Sequence, residues 1–230
     1  MVYMILGTGF EPMEAIAPCD ILRRGGVEVQ LAGIGGTLIE AGHGVRVQAD
    51  CRVEDLKLAS TDMVILPGGL GGVHSILACD TAMNFIRLAY EDGKYIAAIC
   101  AAPTILAQLH ITDGRKATCY PGLEEKMGAA VMTACGAVQD GRVITGRAAG
   151  SADEFGLLCL QALKGKAAAD QVAADIVYRA YGRNTWLNRT PTPVRTNRRP
   201  SRTRWKKVWK SFRSMSCWRR SRTIWPASTR

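Results

Sequence analysis

Short apolar runs recur along most of this chain, and each is cut off sharply by glycine, proline or a small residue. Val2–Leu6 stops at Gly7-Thr-Gly9, Met63–Leu66 at Pro67-Gly68-Gly69, and Tyr95–Ile99 at Cys100. Such runs are too short for helices and show no polar alternation, so they predict strands buried on both faces. Stretches with helical spacing separate them: 12–24, 81–90, 101–109, 151–163 and 167–178. Strands alternating with helices predict a mostly parallel central sheet covered on both sides, an α/β three-layer sandwich. Further strands are expected at 27–32, 116–119 and 142–145, with 134–138 pairing the last, and short strands and loops over 36–54. Pro12 suits a first helical position and Gly25-Gly26 a stop, which brackets the first helix.

Composition divides the chain in two. The overall charge of +10 suggests nucleic acid, but residues 1–182 carry 15 Lys+Arg against 20 Asp+Glu, whereas residues 183–230 carry 15 Lys+Arg and no acid. All five tryptophans (Trp186, Trp205, Trp209, Trp218 and Trp225) also fall in the second part. The reading is an α/β domain over 1–182 followed by a basic Trp/Arg-rich tail over 183–230. The tail has too little apolar periodicity to offset its ordering entropy and is expected to be disordered. Phosphate neutralisation with base stacking, or an anionic membrane, would suit it. Out-of-frame or read-through sequence suits its abrupt change of composition better, so nucleic acid is not expected except through this tail.

Seven cysteines lie in the domain, odd in number and irregular in spacing, with no CxxC pair. Neither a disulfide framework nor a zinc site is expected, and a reducing, cytoplasmic compartment is. His43, His74 and His110 lack metal-ligand spacing. Gly7-Thr-Gly9 begins like a dinucleotide fingerprint, but Pro12 occupies the third glycine position. Gly68-Gly-Leu-Gly-Gly72 is followed by no Gly-Lys-Ser/Thr, so it reads as backbone that lets substrate approach. No bound cofactor or metal is expected, and no run is long and apolar enough to span a membrane.

Ligands of open parallel sheets bind beyond the carboxyl ends of the strands, which places Gly7–Gly9, Pro67–Gly69 and Cys100 at one crevice. Cys100 stands between a strand and a helix within Ala98-Ile-Cys-Ala-Ala102. Small residues on both sides are what a nucleophile elbow requires. A buried structural cysteine is the commoner fate of this residue type, but the elbow reverses the odds here. The following helix N-terminus is expected to lower the thiol pKa by about one unit, so stronger activation needs another group. Glu14, in the first turn of the first helix, is one such group, although by its position alone it reads better as a solvated carboxylate at a helix N-terminus.

Several segments together resemble the ThiJ/PfpI superfamily, in particular the Parkinsonism-associated protein deglycase branch. They are Glu11-Pro-Met-Glu14, Asp20-Ile-Leu-Arg-Arg24, Val64-Ile-Leu-Pro-Gly-Gly69, Ala97-Ala-Ile-Cys-Ala-Ala-Pro103 and Thr118-Cys-Tyr-Pro121. The resemblance covers about residues 1–180 and implies a flavodoxin-like, class I glutamine-amidotransferase-like domain that forms a homodimer. It makes Cys100 the nucleophile and peroxide-sensitive thiol, Glu14 its protonated partner and acid/base, and the amides of Gly69 and Ala101 oxyanion donors. Gly68 and Tyr120 would belong to the pocket and Arg24 to its surroundings near the dimer interface. Tyr120 replaces a histidine common in that branch and cannot serve as a base near neutral pH. Ala101 stands where the related proteases carry histidine, which disfavours proteolysis. The implied substrates are small reactive aldehydes or glycated protein groups, with a redox sensor or chaperone as the alternative.

Overall fold

The computed structural model describes residues 1–178, so the expected disorder of the basic tail lies outside the described residues. Seven strands form the main sheet: β1 (Val2–Leu6), β2 (Val29–Gly33), β5 (Cys51–Arg52), β6 (Met63–Leu66), β7 (Tyr95–Ile99), β10 (Ala137–Asp140) and β11 (Val143–Gly146). Their order is β10-β11-β7-β6-β1-β2-β5, and only the β10/β11 pair is antiparallel. Two small ribbons lie outside it, β3 (Leu38–Glu40) against β4 (Arg46–Gln48) and β8 (Lys116–Ala117) against β9 (Val131–Met132). This is the expected flavodoxin-like α/β sandwich.

The central strands alternate between two cores because successive side chains point to opposite faces. Met4, Leu6, Ile65, Ala97 and Ile99 pack with α1 (Pro12–Arg24), α5 (Ala152–Lys164) and α6 (Lys166–Asp175). Ile5, Val64, Leu66, Ile96 and Ala98 pack with α2 (Leu70–Leu77), α3 (Asp80–Glu91) and α4 (Pro103–Gln108). Burial on both faces explains why β1, β6 and β7 read as unbroken apolar runs. At the C-terminal half, Gly156 lets α5 close onto α1; a Cβ there would lie 2.9 Å from the Pro18 Cα.

Several boundaries differ from the sequence expectation. The second strand starts at Val29 rather than Val27, because Val27 donates its amide to the Leu22 carbonyl and still belongs to the exit from α1. The strand expected over 116–119 is only Lys116–Ala117 and pairs outside the main sheet, and the partner of β11 is Ala137–Asp140. The helix after Cys100 begins at Pro103, whose fixed φ suits a first helical position. It is six residues long. The largest departure is α2: the glycine-rich stretch does not remain an open loop. Gly71 and Gly72 are helical and pressed onto the first loop, where a Cβ on Gly72 would lie 2.7 Å from the Phe10 Cα.

Candidate active site

The carboxyl ends of β1, β6 and β7 bring the predicted segments to one point. Cys100 follows β7 with φ +66°, a left-handed conformation that costs a non-glycine residue about 1–2 kcal/mol. Tertiary hydrogen bonds hold it there. Its N–H donates to the Gly146 carbonyl (2.9 Å), and its C=O accepts from the Tyr120 N–H (2.7 Å). Ala98, Ala101 and Ala102 around it are buried, so bulk at these positions has no room. The turn leaves Cys100 partly exposed between the two cores.

Glu14 reaches this elbow from the first turn of α1. It is 1% exposed. The carboxylate accepts from the Gly68 N–H (2.9 Å) and the Ala149 N–H, and also meets the Cys100 thiol. Burial raises its pKa from the ordinary 4.5 to about 7, with the nearby Glu11 charge adding to the rise. The hydrogen bonds from Cys100, Gly68 and Ala149 oppose it but do not cancel it. Glu14 is thereby a carboxyl group able to exchange protons near neutral pH.

The thiol departs from expectation. Burial, the Glu14 charge and the hydrogen bond donated to Glu14 push Cys100 up to about 12, rather than down. The N–H groups of Gly69 and Ala101 act in the opposite direction but are outweighed. The helix effect assumed from sequence is weak because α4 starts three residues beyond Cys100 and is short. Above about pH 7 the ground state is therefore a thiol donating to a carboxylate, and below it both groups carry a proton. Proton transfer between the two makes the thiolate.

The remaining predicted residues divide clearly. Gly68 is no open approach for substrate: a Cβ there would lie 2.6 Å from Glu14 Oε2 and 2.7 Å from Cys100 Cβ. It is a packing glycine whose N–H holds the acid. Gly69 has φ +83° and directs its amide at the sulfur. Tyr120 is fastened to the elbow by its backbone and is 49% exposed. Arg24 is not at this site within the chain: it lies on the surface at the end of α1 and bonds Asp20 at 2.7 Å. Ala149 and Gly146 escaped the sequence reading. They act only through backbone groups, and nothing in their side chains signals it.

Among the described residues no group of three or more His, Cys, Asp or Glu is arranged to hold a metal, and no helix is long and apolar enough to cross a membrane. The seven described cysteines are all free thiols. His43 lies on an exposed loop with Nε2 3.8 Å from Glu11, His74 on the outer side of α2, and His110 beside Asp113. A cavity of about 680 Å³ opens at the amino ends of the central strands beside Met1, Tyr95 and Arg142 and contains none of this chemistry.

A flavodoxin-like sheet with a strained cysteine elbow and a buried carboxyl partner defines a class of α/β proteins built around one thiol. The chain belongs to the DJ-1/PfpI family, whose model matches residues 1–162. It is 36% identical over 182 residues to protein DJ-1 homolog A of Arabidopsis thaliana, covering 77% of this chain and 46% of that protein. The chain thus spans less than half the length of that relative. It is 32% identical over 157 residues to the glutathione-independent glyoxalase DJR-1.2 of Caenorhabditis elegans, covering 67% and 83% of the two chains. The crystal structure of Drosophila melanogaster DJ-1beta superposes with a TM-score of 0.73 at 33% identity, covering 78% of this chain and 98% of that one.

Proposed function

We propose that this protein is a cofactor-independent glyoxalase/deglycase-type enzyme acting on 2-oxoaldehydes such as methylglyoxal, or on their adducts with protein groups. The observation that carries this reading is Glu14, a buried carboxyl with a pKa of about 7 hydrogen-bonded to the Cys100 thiol. The glyoxalase name of the C. elegans relative supports it.

The Glu14 carboxylate takes the thiol proton as sulfur adds to the aldehyde carbon, giving a hemithioacetal. The oxygen that gains charge is stabilised by the Gly69 and Ala101 amides. Glu14 passes the thiol proton to that oxygen, completing the hemithioacetal, and as a carboxylate again takes the proton from the former aldehyde carbon and returns it to the adjacent carbonyl carbon through an enediol. The aldehyde carbon is oxidised to a thioester while the ketone is reduced to an alcohol, so no external electron acceptor is needed. Water cleaves the thioester, releases the 2-hydroxy acid and restores the thiol. On a glycated amine or thiol, the adduct's hydroxyl proton passes to the departing amine or thiol, which regenerates the aldehyde, and the aldehyde then follows the same path.

The full chain should convert methylglyoxal to lactate without glutathione, and Cys100→Ser should not. Equal turnover by both would refute the proposal. A second reading is favoured by the two amides directed at the sulfur: a sulfinate there would be held by Gly69, Ala101 and protonated Glu14, making Cys100 a peroxide sensor. Selective oxidation of Cys100 by mild peroxide, without aldehyde turnover, would favour this second reading. We further propose a cytoplasmic homodimer formed through the outer side of α1, where Met13 and Ile16 are exposed. Light scattering of the purified chain tests the dimer.

A further inference from the structure

An apolar groove of about 380 Å³ runs between α2 and α4. Leu70, Val73 and Leu77, spaced along α2, form one wall; Ala101 and Ala107 line the other with Leu123, and Gln108 and Lys126 add a polar margin. Its position relative to the chemistry is set by the chain. Leu70 directly follows Gly69 and Ala101 directly follows Cys100, so the groove begins at the two residues whose neighbours organise the reacting atoms. Thr104 also lines it, but its hydroxyl is engaged with the Ala101 carbonyl at 2.7 Å. Leu70 is 77% exposed at the entrance, an apolar side chain with no core to fill.

We infer that this groove is a substrate subsite that takes an aromatic or branched apolar substituent R of a 2-oxoaldehyde, R–CO–CHO. The inference rests on the glyoxalase reading and specifies its substrate class. The groove holds far more than a methyl group, and its size falls within the range of about 300–1,000 Å³ typical of organic-ligand sites. With the substrate oxygen between the Gly69 and Ala101 amides, the groove provides an adjoining apolar surface, and burying R there stabilises the transition state. One methylene in such a pocket changes kcat/KM by about 10-fold or more. The enzyme is therefore built for arylglyoxals over methylglyoxal.

The test compares phenylglyoxal with methylglyoxal using full-length wild type, Leu70→Glu, Gln108→Trp and the control His74→Ala. Their intrinsic reactivities cancel when the ratio of kcat/KM values is compared between variants. A drop of about tenfold in that ratio is expected for Leu70→Glu, which places a charge at the groove mouth. Gln108→Trp, which narrows the far end, should lower it as well, and His74→Ala should leave it unchanged. Leu70 and Gln108 are exposed, and unchanged circular dichroism verifies folding. An unaltered ratio in both groove variants overturns the inference.

A second measurement separates the groove from the reaction. Cys100 is alkylated with N-phenylmaleimide and with N-methylmaleimide, and the rates are followed by peptide mass spectrometry. If wild type consumes neither aldehyde, the glyoxalase reading fails. The groove then stands if Leu70→Glu lowers the phenyl-to-methyl alkylation ratio and falls if it does not.

Discussion

Replacing Glu14 by glutamine should make the protein more stable above neutral pH while abolishing turnover. Glutamine keeps the shape and an oxygen to accept from Gly68 and Ala149, but carries no charge to desolvate. In the wild type the folded-state pKa of Glu14 is about 7 against 4.5 for the ordinary group. Between these values the folded protein binds more protons than the unfolded chain, so stability falls as pH rises. The contribution of protonated Glu14 is complete below 4.5 and is lost as pH passes through about 7. A rise of this size corresponds to about 3 kcal/mol once Glu14 is fully ionised, and to under about 1 kcal/mol at pH 5. Cys100 does not interfere, because its raised pKa affects stability only near and above its ordinary value of 9.0. Urea unfolding at pH 5.0 and 8.5 should therefore show Glu14→Gln close to wild type at the lower pH and about 3 kcal/mol more stable at the higher. Circular dichroism is the suitable probe, since all five tryptophans lie between Trp186 and Trp225, outside the described fold. A variant less stable at pH 8.5, or a difference independent of pH, would refute the claim that an uncompensated buried carboxylate sits beside the thiol.

Three further outcomes follow from the same geometry. The kcat/KM for an aldehyde should rise with pH through about 7 as the Glu14–Cys100 pair goes from two protons to one. A flat profile from pH 5.5 to 8 would exclude Glu14 as the base. Gly68→Ala should cost roughly 2–4 kcal/mol in urea unfolding, as the new Cβ would meet Glu14, Cys100 and the Ile99 carbonyl within 2.9 Å and strain this packed site. Cys100→Gly should be more stable than Cys100→Ala by about 1 kcal/mol, since glycine relieves the left-handed φ; thermal unfolding that ranks alanine above glycine would show that the elbow is unstrained.

The elements legible in the sequence are those whose local signals agree with their tertiary surroundings. β1, β6 and β7 are apolar on both faces, and α1 is bracketed by Pro12 and Gly25. Cys100 could be located because an elbow needs small neighbours, and alanines on both sides show this. Helix α2 was hidden because Gly71 and Gly72 disfavour helix locally; only close packing on Gly9 and Phe10 makes glycine the residue that fits. Arg24 rests on motif position alone: within the chain its side chain lies on the exposed end of α1 and bonds Asp20 one turn back, and the dimer interface proposed for it involves a second copy.

The sequence by itself determined the layered α/β architecture, the strand ends where the chemistry gathers, and the identity of the Cys100–Glu14 pair. The architecture, the strand ends and Cys100 follow from periodicity and residue size, which are local; Glu14 as the partner follows from the resemblance to the ThiJ/PfpI superfamily. The tertiary structure alone decided the protonation of that pair. Burying Glu14 raises its pKa, and its charge then raises that of Cys100, so the expected helix-lowered thiolate becomes a thiol–carboxylate pair sharing a proton. Desolvation depends on what surrounds a group in three dimensions, and no spacing of residues along the chain encodes it.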